Sequence, residues 1–124
     1  MTIPVVYIAG PINAETAWLR EANIRRAETA ALDVWKSGGV ALCVHAMTRY
    51  YCEQDMPYEA WIAGDLELLS RCDALLTVEG WEDSPGARRE VEAAHAQGMP
   101  VLHSPWALRV FLSRDELNEE KEDE

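Results

Sequence analysis

The chain has 124 residues, 48% of them hydrophobic, which suits one globular domain with a real core and calls for no second one. A formal net charge of -11 and a pI near 4.6 argue against a nucleic-acid partner, because a phosphate backbone is repelled over most of such a surface. Cys43, Cys52 and Cys72 form no Cys-x-x-Cys pair, so neither a disulfide framework nor a zinc site is expected.

In chain order, Ile3 to Ala9 reads as a strand that ends at Gly10-Pro11. Glu15 to Ser37 carries a helical apolar stripe through Ile24, Ala27, Ala31 and Val34, and Gly38-Gly39 ends it. Val40 to Val44 reads as the second strand and Met47 to Met56 as irregular. Pro57 opens a helix to about Arg71, with Trp61, Leu68 and Leu69 on its inner side. Ala74 to Val78 is a short apolar run of the kind covered on both faces in a parallel sheet. Asp73 before it reads as a turn or cap residue. A helix from Pro85 to Gln97, a stop at Gly98 and a strand from Pro100 to His103 follow. Trp106 to Leu112 is a short apolar segment, and Ser113 with Glu116 forms a capping box for a last helix.

Strands alternating with helices predict an α/β domain: a three-layer open parallel sheet of the Rossmann or flavodoxin-like kind, with right-handed crossovers. Residues 1–112 are expected to form it. Residues 113–124 form an acidic helix or tail, since Lys121 alone faces seven carboxylates from Asp115 to Glu124. The first residues lack a basic, then apolar, then small-residue pattern, and no run approaches a membrane span. No membrane association is expected, and the reduced cysteines suit a cytoplasmic setting.

In such sheets the ligand crevice lies beyond the carboxyl ends of the strands, where strand order reverses. The segments predicted to converge there are Gly10 to Asn13, His45 to Thr48, Glu79 to Ser84, and His103 to Pro105. Ser84 is an N-cap candidate, Pro85 suits the first helical position, and Gly86 permits close approach of a backbone or ligand. Free N–H groups at such a helix start attract an anion, and Glu90 sits in the helix that follows.

Three stretches together resemble the nucleoside 2-deoxyribosyltransferase superfamily: Tyr7-Ile-Ala-Gly-Pro11, Asp65 to Asp73, and Ser84-Pro-Gly-Ala-Arg-Arg-Glu90. Within it the chain is similar to the small 2'-deoxynucleoside 5'-phosphate N-hydrolases and to related phage and bacterial domains of unknown function. The resemblance implies Glu90 as the nucleophile on the anomeric carbon, Asp65 as the group that orients or protonates the base, and Tyr7 as the tyrosine by the sugar. It places Gly10, Pro11 and Ile12 at the substrate, and Ser84 and Gly86 in a phosphate-binding turn. Transferases of unphosphorylated nucleosides carry an aspartate where this chain has Ser84, so the implied substrate is a (deoxy)nucleoside 5'-monophosphate. Pro11, in contrast, resembles the transferases. The resemblance further implies a homodimer or larger homo-oligomer.

The residue types suit that chemistry. Cleaving an N-glycosidic bond passes through an oxocarbenium-like state, which needs a carboxylate at the sugar and a proton donor at the leaving base. No metal or other cofactor is required. His45, His95 and His103 are too scattered to suggest a metal cluster. Trp18, Trp61 and Trp106 read as core or interface residues, whereas Trp81, in the loop before Ser84, is a candidate to stack on a nucleobase. Arg20, Arg25, Arg26, Arg88 and Arg89 are candidates to meet a small anion, with solvated faces as the default. The alternatives are a nucleoside deoxyribosyltransferase, a non-catalytic module that sequesters a nucleotide, and an interaction protein whose tryptophans and acidic tail serve an interface.

Overall fold

Val5–Ala9 forms β1, the apolar run at the centre of a four-stranded, all-parallel sheet of order β2-β1-β3-β4. The computed structural model describes residues 2–49, 51 and 56–113. β2 (Val40–Leu42) lies on one side of β1, with Tyr7 opposite Leu42. β3 (Ala74–Thr77) lies on the other, with Tyr7 opposite Leu75, and β4 (Val101–Leu102) flanks β3. The Asp73 carboxylate accepts the Val5 N–H at 2.8 Å and so closes the start of β1, the cap role its position suggests.

Alternation along β1 divides the core in two. Val6 and Ile8 face α1 (Ala17–Lys36), whose Ala27, Ala31 and Val34 fill that layer, while Tyr7 and Ala9 face Leu69, Val91 and Ala94 of the opposite layer. The second layer belongs to α3 (Tyr58–Leu69) and α4 (Pro85–Ala96). Helices therefore cover both faces, and the domain is the three-layer α/β sheet expected. Among the described residues, no helix is long and apolar enough to cross a membrane.

Local chemistry sets the element ends. Thr16 caps α1 by accepting the Leu19 N–H at 3.1 Å, and Gly38, at φ 98°, lets the chain leave it. β2 stops at Leu42, short of the expected Val44, because Val44–Met47 winds into the short helix α2, fastened by Thr48 Oγ1 donating to the Val44 carbonyl at 2.8 Å. Residues 105–113 form a fifth helix, α5, capped by Ser104 Oγ, which accepts the Ala107 N–H at 3.0 Å. The apolar stretch from Trp106 is thus helical, and its Leu108 and Leu112 join the α1 layer. Ser113 is still within that helix, so it does not start a new one; Glu116 and the acidic tail lie outside the described residues. Trp18 and Trp106, expected in the core or an interface, are 83% and 69% exposed in the isolated chain.

Candidate active site

The sheet order reverses between β1 and β3, and a cavity of about 790 Å³ opens beyond the carboxyl end of β1. Its wall comes from three of the four predicted segments: Gly10 to Asn13 after β1, His45 and Thr48 in and after α2, and Gly80 with Asp83 and Ser84 after β3. The fourth segment does not reach it. β4 is the edge strand beyond β3, and His103 there stacks on Trp81 with ring centroids 5.4 Å apart, while its Nδ1 lies 3.0 Å from Thr77 Oγ1. Trp81, the residue suggested to stack on a nucleobase, is thus stacked on His103 and is not part of the cavity wall.

Two backbone features bring β1 and β3 close enough to share a wall. A Cβ on Gly10 would lie 2.7 Å from Val78 Cβ, so only glycine lets the chain turn away from β1 beside β3. Gly80 adopts φ 93°, and the 3-10 turn Trp81–Asp83 then delivers Ser84 to the start of α4. Ser84 Oγ accepts the Ala87 N–H at 3.3 Å, and Pro85 and Gly86 occupy the first helical positions, as the sequence predicts. Ser84, Gly86 and Ala87 all line the cavity. Pro85 has no N–H, the Ala87 N–H goes to Ser84 Oγ and the Arg88 N–H to the Ser84 carbonyl at 2.9 Å, which leaves the Gly86 N–H to meet an anion.

Glu90 lies about one and a half turns along α4 and reaches the same cavity, although it is only 5% exposed. The Tyr7 hydroxyl donates to its Oε2 in a short contact. Burial pushes the Glu90 carboxyl up to about 8, the neighbouring Asp65 charge adds to this, and the Tyr7 hydrogen bond opposes both. Tyr7 is fully buried behind Glu90, and burial followed by the Glu90 and Asp65 charges holds its phenol far above the usual range. Tyr7, implied to lie by the sugar, thus contacts Glu90 from behind and does not itself line the cavity. Asp65 enters the cavity from α3, and burial pushes it up to about 6. Two carboxyl groups with separated proton affinities in one cleft can divide acid and base roles.

The basic residues sort clearly. Arg20, from the first turns of α1, lines the cavity and donates to the Arg49 carbonyl at 3.4 Å. Arg89 instead makes a two-pronged ion pair with Glu59 of α3, at 3.0 and 3.2 Å, tying α3 to α4 away from an anion at Ser84. Arg88 is exposed and outside the wall. Arg25 pairs with Glu21 and Arg26 with Asn23 on α1 itself.

His45 is buried and lines the cavity, a role its scattered spacing did not reveal. Its Nε2 lies 3.0 Å from the Gly10 carbonyl and 3.1 Å from that of Pro11, so this nitrogen carries the proton and pins the loop after β1 to α2. Burial holds its pKa below the usual histidine range despite those carbonyls. Tyr58 and Trp61 also line the cavity from α3, together with Asp65. The spacing of residues 58, 61 and 65 marks one helical face and was the available signal for them.

No curated protein matches the chain. Residues 4–103, from the start of the sheet through β4, match a family model described as Domain of unknown function (DUF4406). Those residues supply every element that walls the cavity, and by that match the chain belongs to the DUF4406 family.

Proposed function

We infer that the protein is an N-glycosidase that releases the free base from a (deoxy)nucleoside 5'-monophosphate. One observation carries this reading: Glu90 and Asp65, both with raised proton affinity, line one cavity with the capped start of α4. A phosphate at the Ser84 turn would hold the sugar above Glu90. Ionised Glu90 attacks C1', the glycosidic bond breaks with its electron pair passing to the base, and Asp65 gives that base a proton. Water then attacks C1', ionised Asp65 takes its proton, and Glu90 leaves as the carboxylate with (deoxy)ribose 5-phosphate released. Tyr7 stabilises the ionised form of Glu90 through its hydrogen bond.

A second reading, deoxyribosyl transfer between bases on an unphosphorylated nucleoside, draws on Pro11 and on Asp83, which lines the cavity immediately before Ser84 and offers an acceptor to a 5'-hydroxyl. Incubation with each deoxy- and ribonucleoside and its 5'-monophosphate, followed by chromatography of free base, separates the two. Release from a monophosphate, abolished in Glu90→Ala, is the expected result. Exchange that appears only with an added second base supports the transferase, and no release from any of them, with or without a second base, at micromolar protein refutes both.

A further inference from the structure

We propose that His103 is a positioning residue: through its stack on Trp81 it sets the turn that presents Ser84 to the cavity. The role given to that turn rests on the N-glycosidase reading above. His103 belongs to the one predicted segment that stays outside the cavity wall, so any part it takes is played at second hand. Its ring lies on the Trp81 indole with centroids 5.4 Å apart and planes inclined by 21°, a stacked pair within the separation such rings prefer. A second contact fixes the orientation of the imidazole. Thr77 Oγ1, at the end of β3, donates to the Leu102 carbonyl at 3.3 Å and lies 3.0 Å from His103 Nδ1. With the single hydroxyl proton given to the carbonyl, the tautomer that satisfies both contacts carries its proton on Nδ1 and donates it to Oγ1. The end of β3 therefore orients the ring that covers the indole.

The turn needs an anchor because it hangs from a glycine. Gly80, at φ 93°, has no Cβ to restrict its dihedrals, so its own backbone does not direct the chain beyond it. Trp81 is the first residue past that point, and its indole packs on the α3–α4 core that contains Tyr7 and Val91. From there the chain is tightly linked: the Gly80 carbonyl accepts the Asp83 N–H and the Trp81 carbonyl the Ser84 N–H, each at 3.1 Å. Ser84 in turn caps α4 by accepting the Ala87 N–H at 3.3 Å. A 3-10 turn rises about 2 Å per residue, so Ser84 stands about 6 Å beyond Trp81 and a tilt of the indole is carried to it. Asp83 and Ser84 line the cavity, whereas Trp81 and His103 do not. The stack thus sets one wall of the site from outside it, and acts on the binding of phosphate and not on the carboxyl pair at Glu90 and Asp65.

The test measures hydrogen exchange of single amides in the full-length protein and in three variants, beside the kinetics of base release from a deoxynucleoside 5'-monophosphate. His103 is exposed at the end of an edge strand, so its replacement leaves the core intact. His103→Ala should speed exchange at Asp83 and Ser84 by about threefold or more, the scale of one aromatic pair, with the amides of the last turn of α4 unchanged. It should raise KM for the monophosphate by a similar factor and leave kcat unmoved. His103→Phe keeps a ring on the indole and should restore both readouts. His103→Asn keeps a donor for Thr77 without the ring and should restore neither. Unchanged exchange at Asp83 and Ser84 in His103→Ala, faster exchange along the whole of α4, or rescue by Asn in place of Phe overturns the proposal. So does a loss confined to kcat. The expected exchange pattern without any base release would uphold the positioning role and refute the glycosidase reading alone.

Discussion

The hydroxyl of Tyr7 donates to Oε2 of Glu90, joining the middle of the central strand to a helix 83 residues further along the chain. The Tyr7 hydroxyl is buried and lies outside the cavity wall, so it cannot exchange this partner for water, and losing the partner leaves it unsatisfied. Tyr7 thus fixes the Glu90 carboxyl from the sheet side and tempers the proton affinity that burial raises.

Replacing Tyr7 by Phe keeps the ring in the core and removes only the donor. That donor is the influence that lowers the Glu90 pKa from its burial-raised value, so its loss raises the pKa above about 8. The falling limb of base release against pH, which Glu90 sets, should move upward by about one pH unit, with about 1–3 kcal/mol of stability lost. A pH–rate profile with an unmoved limb would show that Tyr7 does not act on Glu90.

The wild-type profile of kcat/KM should be a bell with limbs near 6 and 8, set by the Asp65 and Glu90 pair. Activity needs Glu90 ionised while Asp65 keeps its proton, the reverse of their order of acidity. Near neutral pH only about one free molecule in a hundred holds that arrangement, so a substrate that ionises Glu90 on binding gains the most. A flat profile from pH 5 to 9 would refute the pairing.

Glu90→Gln should abolish turnover and change how stability varies with pH. A carboxyl whose folded pKa is raised binds more protons in the folded state than in the unfolded one. Wild-type stability therefore falls as pH rises from the ordinary carboxylate range to about 8, by on the order of a few kcal/mol, and levels above it. Glutamine removes the larger part of that fall and leaves the smaller part due to Asp65, whose folded pKa of about 6 is also raised. Melting temperatures of both proteins at pH 5 and pH 8 check this; parallel losses would place the titration elsewhere.

Ser84→Ala deletes the cap of α4 and should cost about 1 kcal/mol, read from a thermal or urea melt. It should also lower kcat/KM for 5'-monophosphates at least tenfold while sparing unphosphorylated nucleosides. Equal losses for both substrate types would remove the phosphate from this turn.

Much of the architecture was legible because the signals are local. The apolar runs at Val5 and Ala74, the stripe of α1 and the Ser84-Pro85-Gly86 start of α4 each follow from short-range sterics and hydrogen bonding, and each formed as expected. Misreadings fell where tertiary contacts outweigh local preference. α2 interrupts the expected second strand because His45 fastens it to the carbonyls of Gly10 and Pro11. The stretch after Ser104 became a helix whose Leu108 and Leu112 complete the α1 layer.

The sequence by itself determined the order of the four strands and of α1, α3 and α4, the capped turn at Ser84, and the presence of carboxylates at positions 65 and 90. Only the tertiary structure decided which side chains meet. It set Tyr7 behind Glu90, paired Arg89 with Glu59 while Arg20 entered the cavity, and turned Trp81 toward His103 while Trp61 joined the wall. The reason is physical: periodicity records which face of an element is buried, but the neighbour on that face is chosen by strand order and crossover, which bring together residues far apart in the chain.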